Sequence, residues 1–187
     1  MFRKSLVLML IAGLVATYGL VASALFTAQA SVTNNTFTAG TLNLTVTPTS
    51  AALTFSNMAP GDAVTAPITV TNSGTLALRY AMTSASTNTD SKNLAAQMTL
   101  EIKSGVTTCT NAGFSASGTS VYSGTLSAAL FGNPATGGHT GDRALAAAAA
   151  ETLCFKASLP SDTGNAYQGA TTTTTFTFDA EQTTNNP

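Results

Sequence analysis

The chain has 187 residues, a formal net charge of −1 and charged side chains at only 8% of its positions. So few basic groups cannot neutralise a run of phosphates, and no basic patch or aromatic stacking platform is present, so we expect no nucleic acid partner. Threonine makes up roughly a fifth of the chain. This balance favours strands with hydroxyl-bearing outer faces over charged amphipathic helices, and the expected fold class is all-β.

The first 24 residues have the pattern of a secretory signal. Arg3 and Lys4 precede a run of apolar and small residues that is long enough to cross a membrane as a helix. Ala22 and Ala24 then occupy the small-x-small positions that a signal peptidase reads. Cleavage is therefore expected between Ala24 and Leu25, with membrane contact only during export.

Two alternatives to this cleavage stay open. Ala28 and Ala30 form a second small-x-small site, and the apolar run approaches the length of an uncleaved membrane anchor. No basic stop-transfer cluster follows the run, which favours removal. Loss of residues 1–24 removes two basic side chains, leaving 163 residues with a formal charge of −3. That length suits one domain with a single hydrophobic core.

The mature chain begins with a Thr- and Asn-rich segment. Residues 37–46 show partial period-two alternation, with Leu42, Leu44 and Val46 set against Thr and Asn. They predict two short strands or one broken strand. Residues 52–57 (ALTFSN) are predicted to form a further short strand.

A clearer strand follows the turn predicted at residues 58–62 (MAPGD). Residues 63–72 alternate apolar residues with Thr, and Pro67 lacks an amide hydrogen, so this strand is expected at a sheet edge or with that amide turned away from a neighbour. Residues 72–74 (NSG) are predicted to turn the chain into a strand over residues 76–83. The two strands would form a hairpin.

The middle of the chain alternates between regular and loop-like segments. Residues 93–97 suit one helical turn, and residues 98–103 are the clearest half-buried strand. Residues 113–141 are rich in Gly, Ser, Thr and Asn and predict long surface loops with short strands. The Ala-rich residues 143–150 are too few to hold a helix by propensity, so a helical turn or an extended linker is expected.

Two strands are predicted to close the domain. Residues 151–159 alternate again, and residues 170–181 place Phe176 and Phe178 on one face. The remaining residues 182–187 are predicted to form a flexible tail.

Cys109 and Cys154 are the only cysteines. Export would place both in an oxidising compartment, which favours a disulfide between them. The alternative, a two-thiolate metal site, has no other ligands in its favour. On the chain-entropy argument, a bridge closing this loop stabilises the fold by about 4 kcal/mol.

No catalytic or metal site can be assembled from the sequence. His139 is the single histidine, whereas a zinc hydrolase uses three protein ligands, usually with two histidines at helical spacing. The eight carboxylates do not form a calcium loop, and the Gly-x-Ser-x-Gly motif is absent. We therefore expect no cofactor, no metal and no catalysis.

Several segments resemble the TasA/camelysin family of exported bacterial proteins. The matching segments are Ala24-Leu25-Phe26-Thr27, Asn35-Thr36-Phe37-Thr38-Ala39-Gly40-Thr41-Leu42-Asn43-Leu44, Met58-Ala59-Pro60-Gly61-Asp62, Ile68-Thr69-Val70-Thr71-Asn72-Ser73-Gly74-Thr75-Leu76, Tyr80, Asn165-Ala166-Tyr167-Gln168-Gly169 and Phe176-Thr177-Phe178-Asp179-Ala180. They span both ends and the middle of the mature chain. Ala28 stands where the family usually has an acidic residue.

The resemblance implies a fold and a function. The fold is an antiparallel jelly-roll-like β-sandwich with short helical turns in its loops, preceded by an N-terminal apolar signal helix that a SipW-type signal peptidase removes. The function is that of a secreted subunit of extracellular or cell-surface fibres in a biofilm matrix, polymerising with itself alone or together with an accessory fibre protein. In such fibres a freed N-terminal strand, here Leu25, Phe26 and Thr27, completes the sheet of the next subunit.

The expected organisation is a signal peptide over residues 1–24, a donor segment over 25–36, a β-sandwich over 37–181 and a tail over 182–187. Two other functions remain as alternatives. One is a secreted metalloendopeptidase of the camelysin type, a label that some relatives carry and the missing zinc ligands argue against. The other is a monomeric surface-binding module or adhesin that uses the loops of residues 113–141.

Overall fold

The structure is a computed structural model that describes residues 28–31 and 33–186. The chain divides into two units, residues 1–38 and residues 39–187. In the first unit the described residues form no helix or strand and are exposed. The signal helix, the cleavage residues Ala22, Ala24 and Leu25, and the assembly residues Leu25, Phe26 and Thr27 lie outside the described residues, and the predicted domain bounds stay predictions.

Within the described residues of the second unit, nine strands form two antiparallel sheets. They are β1 (Leu44–Thr47), β2 (Ala63–Asn72), β3 (Leu78–Ser86), β4 (Thr99–Ser104), β5 (Thr119–Thr125), β6 (Leu130–Phe131), β7 (Arg143–Leu145), β8 (Ala150–Ser158) and β9 (Thr174–Gln182). The first sheet has the order β1-β2-β8-β4-β5. In the second, β3 pairs with β9 along one edge and with β6 and β7 along the other.

Short helices occupy the connections between strands. They are α1 (Leu94–Gln97), α2 (Asn111–Ala116) and two 3₁₀ turns, Leu126–Ala128 and Asn165–Tyr167. The predicted all-β sandwich with helical turns in its loops is therefore confirmed. None of the helices in residues 28–31 and 33–186 has the length and hydropathy that a membrane span requires.

The hydrophobic core lies between the two sheets. Its most buried members come from inner strands of both sheets, and they alternate with outward-facing Thr, Ser and charged residues. Period-two alternation places every second side chain on one face, so each strand contributes two to four apolar groups to the same layer. These fully buried side chains are Val70, Leu78, Met82, Leu100, Ile102, Leu153 and Phe155.

Two strand predictions are confirmed closely. β2 covers the predicted residues 63–72, and β1 pairs only with its last four residues, so β2 is a sheet edge at Pro67 as expected. The strand predicted over residues 98–103 is β4, in which Leu100 and Ile102 are fully buried.

The predicted hairpin between β2 and β3 is wrong. The two strands belong to different sheets, and the turn at residues 72–74 carries the chain from one sheet to the other. Asn72 is the reason: its buried amide nitrogen donates to the carbonyls of Leu76 and Ala146 at 2.8 and 3.0 Å, and its side-chain oxygen accepts from the Gly74 amide at 3.0 Å. These bonds hold the connection in a bend that leads away from the first sheet.

Two other segments also differ from expectation. Residues 52–57 form no strand, because β1 already pairs with the neighbouring edge and Asn57 adopts a left-handed φ of 58° that interrupts an extended chain. The Ala-rich residues 143–150 do not form the expected helical turn or extended linker. They begin as β7, which pairs with β3, and then turn through Ala148 at a φ of 58°.

Candidate functional site

A groove lies between the edge strands β1 and β9 of the sandwich. It has a volume of about 710 Å³ and is bordered by one strand from each sheet. We call it the β1–β9 groove; its lining residues are Leu42, Asn43, Leu44, Thr45, Val46, Pro48, Thr49, Phe176, Thr177, Phe178 and Ala180. None of these residues is charged.

The groove walls are apolar side chains that the core covers only in part. Leu44 and Val46 of β1, and Phe176 and Phe178 of β9, pack against the buried core and remain half-buried. Leu42 is 44% exposed beside them. A row of apolar side chains at a gap between two sheets is an incomplete core, so another apolar strand would find partners there.

The opposite side of the sandwich is closed by the chain itself. β5 continues through the 3₁₀ turn Leu126–Ala128 into β6, and this connection joins the two sheets. Leu126 and Phe131 are buried there. The two sides differ because no covalent connection runs directly between β1 and β9.

β9 offers a long and regular edge for pairing. Its nine residues pair with β3 without a bulge, and in the part of the chain that the structure describes nothing pairs with its other edge. Its first five residues, TTFTF, carry no charge and no Pro. Edge strands are usually protected by charges, prolines or bulges, so β9 can accept an added strand.

The other wall is held rigidly by the segment before β1. The Thr41 amide donates to Thr75 Oγ1 at 2.8 Å, and the Thr75 amide donates to the Thr41 carbonyl at 2.9 Å. Gly74 permits this close approach, because a Cβ there would lie 2.4 Å from the Thr41 carbonyl oxygen. β1 is therefore a fixed wall of the groove although it has only four residues.

A half-buried ionic network borders the core of the sandwich. Arg143 forms an ion pair with Glu151, and the Tyr80 hydroxyl donates to the same carboxylate at 2.7 Å. Burial alone would raise the pKa of Glu151, but the hydrogen bonds from Arg143 and Tyr80 outweigh it and lower the pKa below 4.5. Burial raises the pKa of Tyr80, and the bond to Glu151 raises it further. Each group is paired, so the network is structural.

His139 lies in the loop between β6 and β7, where it contacts one carboxylate. Its Nδ1 atom is 4.0 Å from Asp142 Oδ2, and the Asp142 carboxylate accepts hydrogen bonds from the amides of Asn133 and His139. Burial raises the pKa of Asp142, but these amide bonds give a net lowering. In residues 28–31 and 33–186 no three His, Cys, Asp or Glu side chains come together as a metal would require. The described residues therefore do not fit a zinc site with three protein ligands.

The two cysteines form the expected disulfide. Cys109 in the loop before α2 is joined to Cys154 of β8, with a Cα–Cα distance of 5.6 Å. The two-thiolate metal site is thus not formed. The bridge holds α2 against the outer face of the first sheet. Phe114 is buried there, and the ammonium groups of Lys103 and Lys156 lie 4.7 and 5.5 Å from its ring centre.

The sequence identified parts of this site but not their assembly. Phe176 and Phe178 were expected on one face of a strand, and Leu44 and Val46 in another strand. Their meeting across the groove has no local signal, because more than a hundred residues separate the two strands. Tyr80 and Glu151 are 71 residues apart, and no motif or spacing in the sequence predicts their contact.

Comparison with known proteins identifies the family of the chain. No individual curated protein matches the chain significantly. The model of the camelysin metallo-endopeptidase family matches residues 3–186. Since that match covers nearly the whole chain, the protein belongs to the TasA/camelysin family.

Proposed function

We propose that this protein is a secreted structural subunit that polymerises into extracellular fibres. In the fibre, the N-terminal segment of one copy occupies the β1–β9 groove of the next. The observation that supports this proposal is the groove itself, with half-buried apolar walls and the free edge of β9. An added strand would satisfy the unpaired backbone groups of that edge and cover the apolar walls.

The N-terminal segment is the occupant that the chain itself supplies. Residues 25–36 follow the expected cleavage site and belong to the unit that ends at residue 38. The described residues of this unit are exposed and form no helix or strand. Removal of the leader by a SipW-type peptidase would free this segment outside the cell, in the matrix or at the cell surface.

The proposal is tested by deleting residues 25–36 from the mature chain that begins at Leu25. We expect the deletion to abolish fibres in electron micrographs while circular dichroism and the disulfide stay unchanged. The control replaces the same twelve residues with a Gly/Ser stretch of equal length, which keeps chain length but removes apolar side chains. Fibres of normal yield from the deleted protein would rule out the proposed mechanism.

The family description supports a second candidate, a metalloendopeptidase. The described residues do not fit the ligand set, so no reaction step is assigned to them. Casein turnover that a chelator abolishes, together with stoichiometric zinc in the purified mature protein, would establish this activity. A strict monomer in size-exclusion chromatography at high concentration would instead favour a surface-binding module.

A further inference from the structure

The residues just after the expected cleavage site have a strict binary pattern. From residue 26 to residue 33 (FTAQASVT) apolar and polar residues alternate at every position. In an extended strand the apolar members Phe26, Ala28, Ala30 and Val32 lie on one face. The opposite face carries only Thr, Gln and Ser. This is the pattern of a strand with one face buried and one face in solvent.

The two central side chains of the apolar face are small, whereas the groove walls are large. Ala28 and Ala30 carry single methyl groups, and Phe176 and Phe178 project from alternate positions of β9 into the groove. Close-packed interiors set large side chains against small ones, and additional volume in a filled site forces strain. A strand with alanines at its centre therefore fits between walls built from phenylalanine, leucine and valine.

Length and charge also agree. At about 3.3 Å per residue, residues 26–33 span about 26 Å and β9 about 30 Å. The segment has no charged residue, and neither has the lining of the β1–β9 groove. A neutral strand enters such a groove without leaving a charge unpaired.

We infer that the strand received by the groove is residues 26–33 of a second copy of this chain, paired along β9 with Phe26, Ala28, Ala30 and Val32 facing inward. The small size of Ala28 and Ala30 then determines which strands the groove accepts. This inference rests on the proposed fibre function and refines it by naming the inward face and the residues that give selectivity.

The test compares two double variants of the full mature chain. Ala28→Leu with Ala30→Leu enlarges the inward face, and Gln29→Leu with Ser31→Leu makes a matched change on the outward face. We expect the inward variant to raise the concentration needed for fibres about tenfold or more. The outward variant should polymerise like the unaltered chain. Thermal unfolding of both variants checks that the sandwich is intact.

A synthetic peptide of residues 25–38 provides an independent measurement on the unaltered mature protein. Added in excess, it is expected to occupy free grooves and stop fibre growth, whereas the same peptide with Ala28→Leu and Ala30→Leu should not. Equal inhibition by both peptides would overturn the selectivity.

The outcomes separate this inference from the proposed function. If deletion of residues 25–36 abolishes fibres but the inward variant polymerises normally, or if both double variants fail alike, the assigned face is wrong while the fibre function stands. Normal fibres after the deletion would remove both. A full-length mature monomer whose groove resists the peptide until residues 25–36 are deleted would show that the segment fills its own groove, and would overturn the second copy as occupant.

Discussion

Asn72 connects three parts of the chain through one buried side chain. It joins the end of β2 to the connection at Gly74 and Leu76, and to the turn at Ala146. The Gly74 amide is buried and donates to this side chain, whereas the exposed Ala146 carbonyl also accepts from the Ala149 amide. Asn72 is thus what directs the chain from the first sheet into the second.

Replacement of Asn72 by Ala is expected to lower the free energy of unfolding by about 2–3 kcal/mol, because the buried Gly74 amide and the Leu76 carbonyl lose their hydrogen bonds to this side chain. Asn72→Asp keeps the size but presents only acceptors to two carbonyls, so it should destabilise at least as much. Thr71→Ala, the outward neighbour in β2, is the control and should have a small effect. Urea unfolding at neutral pH measures all three, and an Asn72→Ala variant as stable as Thr71→Ala would contradict the assignment.

Glu151 makes the stability depend on pH. The pKa of Glu151 is lower in the folded than in the unfolded state. The ionised carboxylate therefore stabilises the fold above about pH 4.5, and this stabilisation is lost as the pH falls through the lowered pKa. The free energy of unfolding should therefore decrease as the pH falls below about 5.

A Glu151→Gln variant should be less stable at neutral pH and should show a flatter decrease over the same interval. Tyr80→Phe removes one of the donors and should flatten the decrease only in part. Denaturant titrations at several pH values give both slopes. A Glu151→Gln variant with an unchanged slope would show that other carboxylates, such as Asp142, dominate acid unfolding.

At the scale of elements, a strand can be predicted from its own residues, whereas the strands it pairs with cannot. Alternation predicted β2 and β4 closely, because the order of apolar and polar residues within each strand indicates its inward and outward faces. It did not predict that β2 and β3 separate into different sheets. That choice depends on Asn72 meeting Leu76 and Ala146, and Ala146 is 74 residues away.

The disulfide connects two elements whose contact stabilises the fold. It closes a loop between residues 45 positions apart, so reduction is expected to lower the free energy of unfolding by about 4 kcal/mol. The Cys109→Ala/Cys154→Ala variant should show the same loss without reductant and no further loss with it. Denaturant midpoints with and without a thiol reductant measure this. An unchanged midpoint on full reduction would mean that contacts around Phe114 hold α2 without the bridge.

At the scale of the whole molecule, the sandwich is closed on one side and open on the other. The open side carries uncharged Thr and apolar residues, and the mature chain has a formal charge of only −3. In the proposed fibre, association through this side would be governed by apolar burial and backbone pairing rather than by ion pairs.

Fibre growth is accordingly expected to depend little on ionic strength. Between about 0.05 M and 0.5 M salt the growth rate should change by less than about threefold, because screening has few charges to act on. Light scattering or thioflavin fluorescence of the mature protein follows the rate. A steep decrease with salt would show that charged surfaces outside the β1–β9 groove control association.

Local sequence patterns are enough to predict the signal-like leader, the all-β class, the faces of most strands, the cysteine pair and the family. These follow from composition, from periodicity within eight to ten residues and from motifs, all of which are local. Three features follow from the folded arrangement instead: the division of the strands between two sheets, the open groove between β1 and β9, and the contact of Glu151 with Arg143 and Tyr80. Each of these depends on residues far apart in the chain, whose meeting is set by the packing of the whole core rather than by any one segment.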